Sequence, residues 1–125
     1  MAVDDTDRPA LPLTIAAAHF AACAEELASG ARDAGVGNAA DLAEIVERLL
    51  SGQRDISRAL VRLSALVRAG HDTGKLAAVP SAELIALAEV LRAAGSAAGY
   101  SAEALAECGP ALDVLVHSTD EDTRL

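Results

Sequence analysis

His19 and Cys23 stand four residues apart in a stretch with helical periodicity, a spacing that puts two metal-ligating side chains on one side of a helix. A tetrahedral site would need two or three more ligands. Cys108, His71 and His117 are scattered through a loop and the C-terminal region with no paired spacing of their own, so no metal site is expected. A small thiol in the core beside a surface imidazole accounts for the pair. Cys108 falls on the stripe of Leu105 and Leu112 and reads as a core filler.

The carboxylate pairs are no more suggestive. Glu25 and Glu26 are adjacent on a helix surface, and Asp120 and Asp122 lie in a polar tail. Neither pair has the dry, rigid setting that raises a carboxylate pKa for acid or base work. The Glu-x-x-His pairs of di-iron bundles are missing, as are a phosphate loop, a nucleophile elbow and a dinucleotide fingerprint. Gly35-Val36-Gly37 follows no strand and reads as a turn between helices. The sequence therefore predicts a non-catalytic protein without cofactor.

What remains is a set of residues suited to contact with another macromolecule. Arg54, Arg58 and Arg62 recur every four residues, which keeps them on neighbouring surface of a helix. Such a ridge suits an anion or an acidic partner, although surface ion pairing and the helix dipole explain arginines there equally well. Gln53 interrupts an apolar stripe between Val46 and Leu60, where it can reach solvent, set helix register or meet a partner. Gly52 and Ala59, seven apart on that stripe, are expected where a neighbouring helix comes close. These six residues form the candidate partner surface.

The element that must position them is Asn38–Ala69. Counting heptads from Leu42 places Leu42, Leu49, Ile56 and Leu63 at one apolar position, and Ile45, Gly52, Ala59 and Leu66 at the next. Four heptads in phase, widened by Val46, Leu60 and Val67, predict one continuous helix with a broad apolar face. Its 32 residues would span roughly 48 Å at 1.5 Å per residue. Asn38 is placed as its N-cap with Asp41 in the first turn, and Arg68 followed by Gly70 as its end. An interior glycine at 52 costs about 1 kcal/mol relative to alanine, but a turn at Ser51-Gly52 would not keep Leu49 and Ile56 in phase.

The rest of the chain is built to cover that helix. Leu13–Ala34 predicts a first helix with Leu13, Ala16, Phe20, Cys23, Leu27 and Ala34 inward, joined to the central helix as an antiparallel neighbour. Gly70–Pro80 is the longest interior loop. Ser81 is placed as the next N-cap, followed by a helix burying Leu84, Leu87, Ala88, Leu91, Ala94 and Ala98. Gly99-Tyr100-Ser101 and Gly109-Pro110 are two candidate breaks, leaving open one kinked helix or two over residues 81–117. The expected organisation is an N-terminal arm at 1–12, a single domain at 13–117 and a flexible acidic tail at 118–125. The expected fold is all-α, a three- or four-helix up-and-down antiparallel bundle with one long central helix.

Composition agrees and excludes several partners. Thirty of 125 residues are alanine and only Phe20 and Tyr100 are aromatic, so helices should pack closely through small residues. The formal charge of −9 argues against nucleic acid or an anionic membrane as partner. Asn38–Ala69 alone escapes it, with five arginines against four carboxylates. Two separated cysteines, an acidic start and no long apolar run lead to the expectation of a reduced, cytoplasmic protein. Function is then expected to be protein interaction or self-association, including as a homodimer. Two alternatives follow from the same residues: an acidic neutraliser of a basic partner, antitoxin-like or mimicking nucleic acid, and a bundle binding a small molecule or metal.

Overall fold

Asn38 opens the central helix, α2 (Ala39–Asp72), through a capping box. Its side-chain oxygen accepts from the Asp41 amide at 2.9 Å, and the Asp41 carboxylate accepts from the Asn38 amide at 3.1 Å. Two of the donors that a helix start leaves unpaired are thereby satisfied. The computed structural model, which describes residues 12–33, 35–76 and 78–125, contains three further helices: α1 (Leu13–Asp33), α3 (Ser81–Ala106) and α4 (Gly109–Ser118). No strand occurs among the described residues, and the fold is all-α with one long central helix. No helix among them is long and apolar enough to cross a membrane. Residues 1–11 and Ala34, parts of the expected arm and first helix, lie outside the described residues.

The chain divides into two compact units between Val36 and Gly37. The first contains α1, a 21-residue helix with no buried residue; Leu13, Phe20 and Leu27 of its expected inward stripe are exposed. The second contains α2, α3 and α4. Gly35 and Gly37, one on either side of the division, have φ of 74° and 83°, a backbone region that glycine enters without steric cost. At Gly37 a Cβ would also collide with the Asp41 carboxylate of the capping box.

The end of α2 departs from the expected one. The helix runs through Gly70 to Asp72, and the Thr73 hydroxyl donates to the Ala69 carbonyl at 2.7 Å. Gly70 does not terminate the helix. It leaves room for Leu76, whose Cδ1 would stand 2.8 Å from a Cβ there, while the left-handed residue of the turn is Gly74 at φ 75°.

After the turn, Pro80 rather than Ser81 occupies the N-cap of α3, and no side chain caps it. The helix passes through Gly99-Tyr100-Ser101 without a break and stops at Ala106. Glu107 and Cys108 make a tight turn in which the Cys108 amide donates to the Leu105 carbonyl at 3.0 Å. Of the two candidate breaks, Gly109-Pro110 is the one realised, because proline in the first turn of α4 lacks only an amide hydrogen that the helix does not use. Residues 81–117 are therefore two helical segments joined by a bend.

At the end of α4 the exposed carbonyls are taken by side chains. The His117 Nδ1–H donates to Asp113, Ser118 to Val114 and Thr119 to Leu115, at 2.6 to 2.9 Å. The following residues return to the head of α2. The Asn38 side-chain amide donates to the Glu121 carbonyl at 3.1 Å, and the Leu125 amide donates to the Gly37 carbonyl at 2.8 Å. The stretch expected as a flexible acidic tail thus carries two hydrogen bonds to the α2 start.

Candidate interaction surface

The α2–α3 contact is built from small residues. Ser57 and Ser64, one heptad apart on α2, donate their hydroxyls at 2.7 Å to the carbonyls of Gly95 and Ala88, one heptad apart on α3. As the α2 number rises by seven the α3 number falls by seven, so the helices are antiparallel in a fixed register. Ala88, Gly95 and Ala102 are buried, and Ser64 is buried with its hydroxyl satisfied. A Cβ on Gly95 would meet Val61 at 3.0 Å, the Ser57 carbonyl oxygen at 3.1 Å and Leu60 at 3.3 Å. Backbone approaches backbone there, which a larger side chain on α3 would prevent.

That seam corrects the sequence expectation in detail. The close approach is at Gly95 and not at Gly52, where a Cβ would meet no atom within 4 Å, and Ala59 is exposed. On α3, Leu84 and Ala88 are buried as expected. Leu87 and Ala94 are exposed, Leu91 and Ala98 half-buried, and Gly95 and Ala102 take the inward positions. The signal available was the seven-residue recurrence of Ser57 and Ser64 on α2 and of Ala88, Gly95 and Ala102 on α3; apart from Ala88, these positions carry too little hydrophobicity to fall on a stripe drawn through leucines.

A consequence follows for the large side chains. At about 100° per residue, the line of Leu42, Ile45, Leu49, Ile56 and Leu63 lies roughly a quarter-turn round α2 from Ser57 and Ser64. On α3, Leu87, Ala94 and Leu105 lie a similar step round from Gly95, on the same side of the hairpin. The two lines form one lateral apolar face. Its α2 part is half-buried from Leu42 to Ile56 and opens at Leu63, which is 36% exposed, with Leu87 of α3, 48% exposed, opposite it. Leu66 and Val90, 61% and 65% exposed, lie further round, Leu66 on the same side of α2 as Arg48. Among the described residues the only buried apolar side chains are Ala39, Leu84, Ala88 and Ala102.

The six candidate partner residues are not gathered on this face. Gly52 and Ala59 border it, and Gln53, half-buried, lies four residues before Ser57 on the side turned to α3. Arg54, Arg58 and Arg62 are exposed and wind round the other flank. Arg58 pairs with Asp55, and Arg48 with Glu44 at 3.7 Å, both in solvent where such pairs contribute little.

The chemical candidates are equally dispersed. Cys23 and Cys108 are exposed free thiols, so Cys108 is not the core filler expected. His19 is exposed, and no group of three or more potential metal ligands occurs among the described residues. A depression of about 670 Å³ between α2 and α4 is lined by Ala43, Glu44, Glu47, Arg48, Asp113 and Val116. No buried side-chain nitrogen or oxygen lacks a hydrogen-bond partner among the described residues.

Compared with protein-family models, curated proteins and solved structures, the chain matches none of them.

Proposed function

We propose that this protein is a non-catalytic, cytoplasmic interaction module that works by burying the lateral face of its α2–α3 hairpin against protein. The observation that carries the reading is how little of the hairpin's apolar surface is fully buried. Leu63 and Leu87 of the lateral face are 36% and 48% exposed and Leu42, Ile45, Leu49 and Ile56 only half-buried, while the fully buried apolar set is mostly alanine. A fully buried leucine or valine contributes about 1.5–3 kcal/mol, whereas exposed it contributes nothing. A contiguous apolar patch is a recurrent mark of a protein interface.

The acidic-neutraliser reading draws support from the net charge of −9 and predicts a different salt response. Contact through the lateral face persists as salt is raised, and charge-driven contact weakens steeply. The experiment is capture by immobilised full-length protein at low and high salt, with Leu63→Glu/Leu87→Glu alongside. Proteins retained at high salt by the wild type and lost by the double variant support the proposed face. Identical capture by both overturns it.

A further inference from the structure

We infer that the flank of the hairpin opposite the lateral face is a second contact surface, a short ridge of arginines that takes an acidic segment of another protein with carboxylates on successive helical turns. Arg54, Arg58 and Arg62 of α2 supply one side of it, and the fold adds a fourth side chain that spacing along α2 does not reveal. The Ser57–Gly95 and Ser64–Ala88 hydrogen bonds fix the register of the hairpin, so Arg92 of α3 stands level with residue 60, between Arg58 and Arg62. At about 100° per residue the three α2 arginines lie roughly 60–140° round from Ser57, and Arg92 lies about 60° round from Gly95 toward the same flank. Ile85, seven residues before Arg92, lines one depression with Asp72 of that flank. Because the backbones meet at Gly95, helix axes only about 8 Å apart carry arginines to both sides of one groove, with the part-exposed Val61 on its floor.

The cations are accessible. α4 occupies the first half of the flank, where Ala43, Glu47 and Leu50 face Gly109, Leu112 and Asp113, and all four arginines beyond it are exposed. Among the described residues Arg54, Arg62 and Arg92 form no ion pair, and Arg58 pairs with Asp55 in solvent, a contact weak enough to be exchanged for a ligand. Four of the eight basic side chains in residues 37–125 are gathered here. Arginine also presents two parallel N–H donors, which match the two oxygens of a carboxylate.

Extent selects the partner. Arg54 to Arg62 spans eight steps, about 12 Å, which matches anions in a row better than one phosphate. Carboxylates four residues apart on a partner helix repeat every ~6 Å, the spacing of the arginines. The row is also bounded: Glu47 and Glu103 fall on the flank at one end, and Glu89 and Asp72 toward the other. A nucleic-acid strand or an anionic membrane continues past the ridge onto those carboxylates and meets the net charge of −9, whereas a segment of about two turns ends within it. Screening over about 8 Å at physiological salt lets so local a cluster act against the charge of the whole chain.

NMR titration of the isotope-labelled full-length protein with an alanine-based helical peptide bearing glutamate at every fourth position tests this, since chemical shifts follow even weak binding. Expected are shifts centred on Arg54, Arg58, Arg62 and Arg92, and an affinity that falls steeply with added salt. Arg58→Gln/Arg92→Gln should weaken binding at least about tenfold while circular dichroism shows the helices retained. Arg48→Gln, on the side of α2 turned away from α3, should leave it unchanged, as should Leu63→Glu/Leu87→Glu on the lateral face. No binding of the peptide, or binding that the double arginine variant leaves intact, overturns the proposal. Loss of binding in the lateral-face variant also overturns it, because the peptide then sits on the other surface. Inorganic phosphate displacing the peptide as a single bound ion, or a single-stranded oligonucleotide binding the same arginines more tightly, overturns the choice of an acidic segment.

Discussion

The hydroxyl of Ser57 donates to the carbonyl of Gly95 at 2.7 Å, and a Cβ on Gly95 would stand 3.1 Å from the carbonyl of Ser57. The two residues bring the α2 and α3 backbones together, and nothing larger than glycine fits at 95 without displacing main chain. Gly95→Ala gains up to about 1 kcal/mol of helix propensity. It must also shift Val61, Leu60 and a carbonyl at once, and overpacking of that kind costs about 1–3 kcal/mol. Net destabilisation is expected in urea melts. Gly52→Ala, with no atom within 4 Å of the new methyl, should instead stabilise by up to about 1 kcal/mol.

At Ser64 the same geometry separates hydrogen bonding from packing. Ser64→Ala loses one hydroxyl donor, worth about 0.5–1.5 kcal/mol, and recovers part of that in helix propensity. A modest loss of stability is expected. Ser64→Leu places a large side chain where Ala88 and α3 already sit, and should cost more than the alanine variant despite leucine's better propensity. Equal costs for the two would mean that the hydroxyl, and not the closeness of the helices, sets the seam.

The start of α2 supplies a third prediction. Asn38→Ala removes the cap on the Asp41 amide and the bond to the Glu121 carbonyl together, and should cost about 1–2 kcal/mol. Gly37→Ala should cost at least about 1 kcal/mol, because the backbone there is left-handed and the methyl meets the Asp41 carboxylate. Thermal unfolding followed by circular dichroism measures both.

These residues also show which parts of the fold could be read in advance. The Asn38–Asp41 cap is a local device, fixed by bonds within a few residues, and the sequence carries it openly, whereas Gly109-Pro110 was one of two candidate breaks that local signals did not separate. The phase of the central helix was legible for the same reason. Gly70 misled because glycine after Arg68 resembles a helix stop, while its actual task, making room for Leu76, depends on the loop that follows. Gln53 and the arginines at 54, 58 and 62 are correctly placed on one helix by their spacing, but spacing alone does not say which flank meets α3.

The seam itself was the harder case. A heptad of leucines announces an apolar side, and the expectation was that this side faces the neighbouring helix. Close packing selects small residues instead, so Ser57, Ser64, Gly95 and Ala102 form the contact and Leu63 and Leu87 are left beside it. The same substitution of small for large leaves the lateral face open, so the misplaced seam and the open face have one cause.

Hydroxyl-radical footprinting of the full-length protein, alone and in complex with a protein it retains at high salt, tests whether that face is where the protein is covered. Leu63 and Leu87 should be labelled less in the complex, while Tyr100 and Val114, which are 71% and 66% exposed away from the face, keep their labelling. Undiminished labelling of Leu63 and Leu87, with protection at Tyr100 or Val114 instead, would contradict the account.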